Sequence, residues 1–140
     1  MGAPGGWLTL PLTEWNGTPL RYPIGVSDFP ELIGKQFDLA AYVRIPQYMF
    51  AEDRDDRDAV RGHYCDAEFY VGDEYDAEDA RLIMRLFGED LMERWEVLET
   101  LFRTAGASCQ FVTYPGVGHE LTTDMWDDAR SFFEEVLGEG

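Results

Sequence analysis

Ser108-Cys-Gln-Phe-Val-Thr-Tyr114, then Pro115-Gly-Val-Gly118, then His119-Glu120, is the stretch that decides the fold. A β-branched and aromatic run closes on a Pro/Gly turn, and a lone histidine sits just past the turn. Such a run reads as a strand of about residues 108–114. Beyond it, residues 123–137 carry Met125, Ala129, Phe132, Phe133 and Val136 at helical spacing, which predicts an amphipathic helix. A histidine held in a glycine turn at a strand end is well placed for a catalytic base, because glycine admits a tight backbone and the strand beneath fixes the ring. The plainer alternative is a surface histidine in an ordinary strand-to-helix turn.

Upstream, Asp90 to Ala105 predicts another helix, with Leu91, Trp95, Leu98, Phe102 and Ala105 on one face and Gly106 as the stop. Before that, Asp76-Ala-Glu-Asp79 reads as a capped helix start. Ala80, Ile83, Met84 and Phe87 form its stripe, and Gly88 ends it. These stripes are core by default, and no cofactor is read into them. Further upstream, Ile45-Pro-Gln-Tyr-Met-Phe-Ala51 is uncharged and rich in β-formers, with proline only near its start, so it predicts a short buried strand over 45–51. Two such strands joined through helices imply a parallel pair with a right-handed crossover, hence an α/β fold.

The strand over 45–51 runs straight into Glu52-Asp-Arg-Asp-Asp-Arg-Asp58. In an open α/β sheet, functional groups gather at the carboxyl ends of strands. The acidic cluster and His119 occupy two such ends, which makes one carboxylate a candidate partner of His119. Most of the cluster can equally be a solvated turn in an acidic protein. A calcium loop does not fit: Asp58 stands at the sixth position in place of glycine, and Tyr64 at the twelfth in place of glutamate. His63, Cys65 and Asp66 lie close together but match no zinc spacing. The expectation is therefore no metal and no cofactor.

Residues 1–44 are irregular, punctuated by Pro11, Asn16-Gly17, Pro19, Pro23, Gly25 and Pro30, with a possible helical turn over 32–43. Trp7, Trp15, Tyr22, Ile24 and Phe29 require this segment to pack against something. The whole chain reads as a single partial domain over 1–140: an irregular 1–44, a strand and acid loop over 45–58, an insertion over 60–89, and helix, strand, His loop and final helix over 90–140.

Asp plus Glu number 28 against 11 Lys plus Arg, a net charge of −17, and Lys35 is the one lysine of the 140 residues. That excess argues against nucleic acid or an anionic membrane as partner, since both require a positive face. It suits a protein kept hydrated in high salt, where charges are screened within about 3 Å at 1 M. Cys65 and Cys109 form no disulfide framework. No leader and no apolar run of membrane-spanning length is visible, so a cytoplasmic location is expected.

The order of acid after a strand, helix, strand, Gly-x-Gly-His and final helix resembles the C-terminal half of the α/β-hydrolase superfamily. There the chain order is Ser, then Asp or Glu, then His. Tyr114-Pro-Gly-Val-Gly-His-Glu120 is similar to its histidine loop, and Ala51-Glu-Asp-Arg-Asp55 to its acid loop. Gly2-Ala-Pro-Gly-Gly-Trp7 is similar to the segment that precedes the cap region, which makes 60–89 a cap-like insertion. The resemblance implies a partial α/β-hydrolase fold with His119 as base and Asp55 as acid. Asp53, Asp56 and Asp58 compete, because Glu52 replaces the family's glycine three positions before the acid.

One family element is missing from these residues: no Gly-x-Ser-x-Gly elbow occurs. Ser27 lies in Gly25-Val-Ser-Asp-Phe29, and Ser108 and Ser131 have no such context. The resemblance thus implies the acid and base of an ester, thioester or amide hydrolase without its nucleophile, inactive alone. A small-molecule acyl substrate would be turned over only if another segment or chain completes the site. The other readings are a remnant or interaction protein that pairs with itself or a partner chain, and a small metal-binding protein using the acidic cluster.

Overall fold

The computed structural model describes residues 6–62 and 75–138. His63, Cys65 and Asp66, and the glycines at 2 and 5, lie outside the described residues. A two-residue hairpin, β1 (Glu14–Trp15) with β2 (Thr18–Pro19), comes first, followed by α1 (Phe29–Ile33) and α2 (Leu39–Tyr42). Then come β3 (Gln47–Glu52), α3 (Ala77–Phe87), α4 (Leu91–Thr104), β4 (Cys109–Tyr114) and α5 (Thr123–Gly138). The architecture is mixed α/β. Strands β3 and β4 pair in parallel, from Gln47 opposite Cys109 to Glu52 opposite Tyr114. Among the described residues, each pairs only with the other.

Local chemistry accounts for the long helices. Asp76 caps α3 by accepting from the backbone N–H groups of Glu78 and Asp79, both at 2.9 Å. Helix α4 opens with a capping box: Asp90 accepts from the Glu93 N–H at 2.9 Å, and the Glu93 carboxylate reaches back to the Asp90 N–H. Between the two helices, Gly88 sits at φ +131°, and a Cβ there would lie 2.7 Å from the Glu93 Cβ. Only glycine fits so close a helix-to-helix turn.

The sheet has two unlike faces. Side chains alternate along a strand, so Met49 and Ala51 of β3 share one face with Phe111 of β4. That face packs on α4, where Trp95 and Phe111 have ring centroids 4.7 Å apart and Phe102 and Phe111 5.7 Å. The Trp95 indole N–H donates to Thr113 at 3.0 Å. Around them lies the main core, in which Trp7, Leu10, Leu20 and Ile24 meet Ile83 and Phe87. This supplies the surface that Trp7 and Ile24 required, with Trp15 packed at its edge, whereas Tyr22 is exposed and Phe29 packs on Phe37 instead. Helix α3, within the stretch expected as an insertion, contributes Ile83 and Phe87 to that core. The opposite face carries Tyr48, Phe50 and Glu52 beneath α5, and here the buried apolar side chains are Tyr48, Phe50 and Met125.

Two strand boundaries differ from expectation. Strand β3 begins at Gln47, past Pro46, which cannot donate to a ladder. It ends at Glu52, so the first acidic residue of the cluster is the last residue of the strand. Strand β4 starts one residue late, at Cys109, a free and half-buried thiol. In the described N-terminal segment, two short helices at 29–33 and 39–42 replace the single turn expected over 32–43.

Candidate active site

The acid loop and the His loop leave the carboxyl ends of β3 and β4 side by side, and backbone bonds tie them together. The Asp53 N–H donates to the Tyr114 carbonyl at 3.2 Å, and the Arg54 N–H to the Val117 carbonyl at 3.0 Å. Asp53 closes the junction from the other side, its carboxylate accepting from the Gly116 N–H at 2.6 Å. Gly116 lies at φ +77°, a left-handed turn that turns its N–H toward Asp53.

Within this frame, His119 Nδ1 and Asp55 Oδ2 are 3.0 Å apart, although 64 positions separate them in sequence. The Asp55 side chain is 3% exposed and the His119 ring 38%. The other Asp55 oxygen accepts from the Arg57 N–H at 2.9 Å, which fixes the carboxylate. A carboxylate only accepts, so Nδ1 carries the proton of the pair and Nε2 is the basic nitrogen of the neutral ring. A buried acid orienting an exposed imidazole is the geometry of a general base and its positioning carboxylate.

The competing carboxylates go elsewhere. Asp53 holds the Gly116 turn. Asp56 is exposed beside Arg57 at 3.8 Å. Asp58 forms a buried ion pair with Arg94, whose side chain is fully buried on α4. The rest of the Arg94 guanidinium is spent on backbone carbonyls: Nε donates to Gly6 at 3.0 Å, and Nη1 to Gly88 at 3.2 Å and Glu89 at 3.1 Å. Asp58 also accepts from the Val60 N–H at 3.1 Å. These bonds clamp the N-terminal segment, the acid loop and the α3–α4 turn, a structural task that sequence reasoning missed. A charged residue on an amphipathic helix reads as solvent-facing, and no local signal marks Arg94 as buried. The cluster does not converge, and among the described residues no group of three or more His, Cys, Asp or Glu side chains is arranged to hold a metal ion.

His119 lines a groove of about 560 Å³ between the sheet and α5. Tyr48, Phe50 and Glu52 form the sheet side, and Met125, Ala129 and Phe133 the helix side. Glu52, the first residue of the acidic cluster, is 1% exposed, and its Oε2 is buried without a hydrogen-bond partner. Burial pushes its carboxyl up from the ordinary value of 4.5, and the neighbouring Asp55 adds to the rise; a hydrogen bond to its own backbone and the nearby His119 act the other way. On the same face, Tyr114 donates to Asp128 at 2.7 Å, so the Tyr48 hydroxyl, 2.7 Å away, donates to Tyr114. Burial and then these two bonds hold the Tyr114 hydroxyl protonated far above the usual phenol range.

Comparison with protein-family models, with curated proteins and with solved structures found no match. None of the helices among the described residues is long and apolar enough to cross a membrane.

Proposed function

We propose that this chain supplies the acid and base of a serine-type hydrolase of the α/β-hydrolase kind, acting on an ester, thioester or amide. The observation that carries the reading is the 3.0 Å contact between His119 and Asp55 at the carboxyl ends of adjacent parallel strands. In this reading Asp55 is a positioning residue that holds the tautomer and stabilises the imidazolium. His119 Nε2 takes the proton from a serine hydroxyl as that oxygen attacks the acyl carbon, then returns it to the departing alcohol, thiol or amine. The serine and the oxyanion donors come from residues outside these 140, either on the same polypeptide or on a second chain. In isolation the chain then has no turnover, since removing the nucleophile removes most of such catalysis.

Reading the coding sequence around the gene, and expressing the completed protein, tests this. A strand, Gly-x-Ser-x-Gly and helix within about two hundred upstream codons, the size of the missing part of such a domain, with turnover lost in His119→Ala, supports it. Turnover that survives His119→Ala overturns it.

A second reading, a non-catalytic pairing module, is favoured by the exposed apolar side chains of α5. Trp126 is 63% exposed, Phe133 52% and Leu137 77%. Stable association with no turnover in any assembly supports that reading over the first.

A further inference from the structure

The groove has a chemistry that proton transfer by His119 does not explain. Its walls are apolar and aromatic: Tyr48 and Phe50 from β3, Trp126 and Phe133 from α5. Besides the Tyr48 phenol, its ionisable lining is Glu52, Glu120 and His119, and among the described residues no Lys or Arg lines it. The ring of His119 is already engaged by Asp55. Glu52 is different. It is carried into the groove by the alternation of β3, and its Oε2 is buried with no hydrogen-bond partner. A buried carboxyl oxygen with no partner is costly, and natural structures rarely keep one without a use.

We propose that this groove binds an organic ammonium ion with an apolar body, with Glu52 as its counter-charge and hydrogen-bond acceptor. The ammonium N–H groups satisfy the unpartnered oxygen. The π faces of nearby aromatic side chains favour a cation. The apolar body fills a space within the range of about 300–1,000 Å³ usual for small-molecule sites. The net charge of −17 draws cations toward the surface. A neutral apolar occupant would leave the Glu52 oxygen unpaired in a still drier site. For a bare metal ion, no group of three or more His, Cys, Asp or Glu side chains among the described residues is arranged to hold one. This inference does not rest on the hydrolase reading, since binding needs no nucleophile.

Proton linkage follows from the position of Glu52. Among the described residues, Asp55 from the acid loop and His119 from the His loop act on it, Tyr48 of β3 and Glu120 share the groove, and Tyr114 of β4 is its strand partner. Burial raises the Glu52 carboxyl, so it keeps its proton to higher pH than an exposed glutamate. An ammonium ligand requires the ionised form, and its affinity therefore rises with pH through the Glu52 titration.

The test is calorimetric titration of the full chain with 2-phenylethylammonium and with its neutral isostere 2-phenylethanol. At pH 7 the ammonium is expected to bind about tenfold tighter or better, and Glu52→Gln to bring the two affinities together. The titration is run on the chain alone, which has no turnover on the hydrolase reading, so its outcome is separate from the catalytic one. Should Glu52→Gln fail to fold, the wild-type chain decides. A preference for the ammonium that shrinks from pH 7 to pH 4 sustains the proposal. Equal or tighter binding of the alcohol at pH 7, or no saturable binding of either probe at millimolar concentration, overturns it.

Discussion

The two faces of one small sheet have opposite fates. On the α4 face, Met49, Ala51 and Phe111 are sealed by Trp95 and Phe102, and the N-terminal segment closes the core behind them. On the α5 face, Tyr48, Phe50 and Met125 are buried, but the helix leaves a groove, an unpaired carboxyl oxygen and exposed Trp126. The same strands supply both faces, so backbone pairing does not make the difference. It comes from what each face carries. One face is apolar and well filled, and the other ends in Glu52 beside His119. The first is sealed into the core, and the second is left as an open groove.

That contrast is broken or sharpened by substitutions on each side. The largest effect is expected at the sealed side. Arg94→Met leaves Asp58 buried without its partner and releases three carbonyls, a loss of about 3–5 kcal/mol by denaturant titration. A cost under about 1 kcal/mol, the size of an exposed pair, would mean that this clamp is not structural. Next, Asp90→Ala removes the capping box of α4 and should lower stability by about 1 kcal/mol, read from the same titration.

On the open side the expected signature is pH. Glu52 has its folded value raised above the ordinary 4.5. The folded chain therefore holds that proton in a window where the unfolded chain has lost it. The stability this confers is present at low pH and is lost as pH rises through the folded value. Glu52→Gln should therefore gain on the wild type in melting temperature as pH is raised from 4 to 7. A relative gain in the opposite direction would contradict the burial of a carboxyl with one oxygen left unpaired. The smallest effect is expected at Trp126→Ser, within about ±0.5 kcal/mol, since that side chain leans into solvent. A large loss there would mean the α5 face is sealed after all.

The sequence reveals the sealed face better than the open one. Apolar spacing and caps disclose α3, α4 and α5, the uncharged aromatic run Tyr48-Met-Phe50 discloses β3, and the β-branched and aromatic run of 108–114 discloses β4, because these are local properties. The contribution of Trp7, Leu10 and Ile24 to the core has no period; composition alone says that they must pack. Asp53, Asp55 and Asp58 are one residue type on one loop; the resemblance alone singles out Asp55 for His119, and nothing local marks Asp53 for Gly116 or Asp58 for Arg94. Glu52 was unreadable for the converse reason. A charge at a strand end reads as the start of a solvated loop, and the alternation that turns it inward depends on where β3 stops.

The central claim is that His119 and Asp55 act as one base. The most direct measurement is the rate of fluorophosphonate labelling of the completed assembly, in wild type, His119→Ala, Asp55→Asn and the double variant. The account predicts labelling at a serine, a loss of at least about a hundredfold in His119→Ala, and a double variant no slower than His119→Ala alone. Labelling indifferent to His119, or losses that multiply in the double variant, would contradict it.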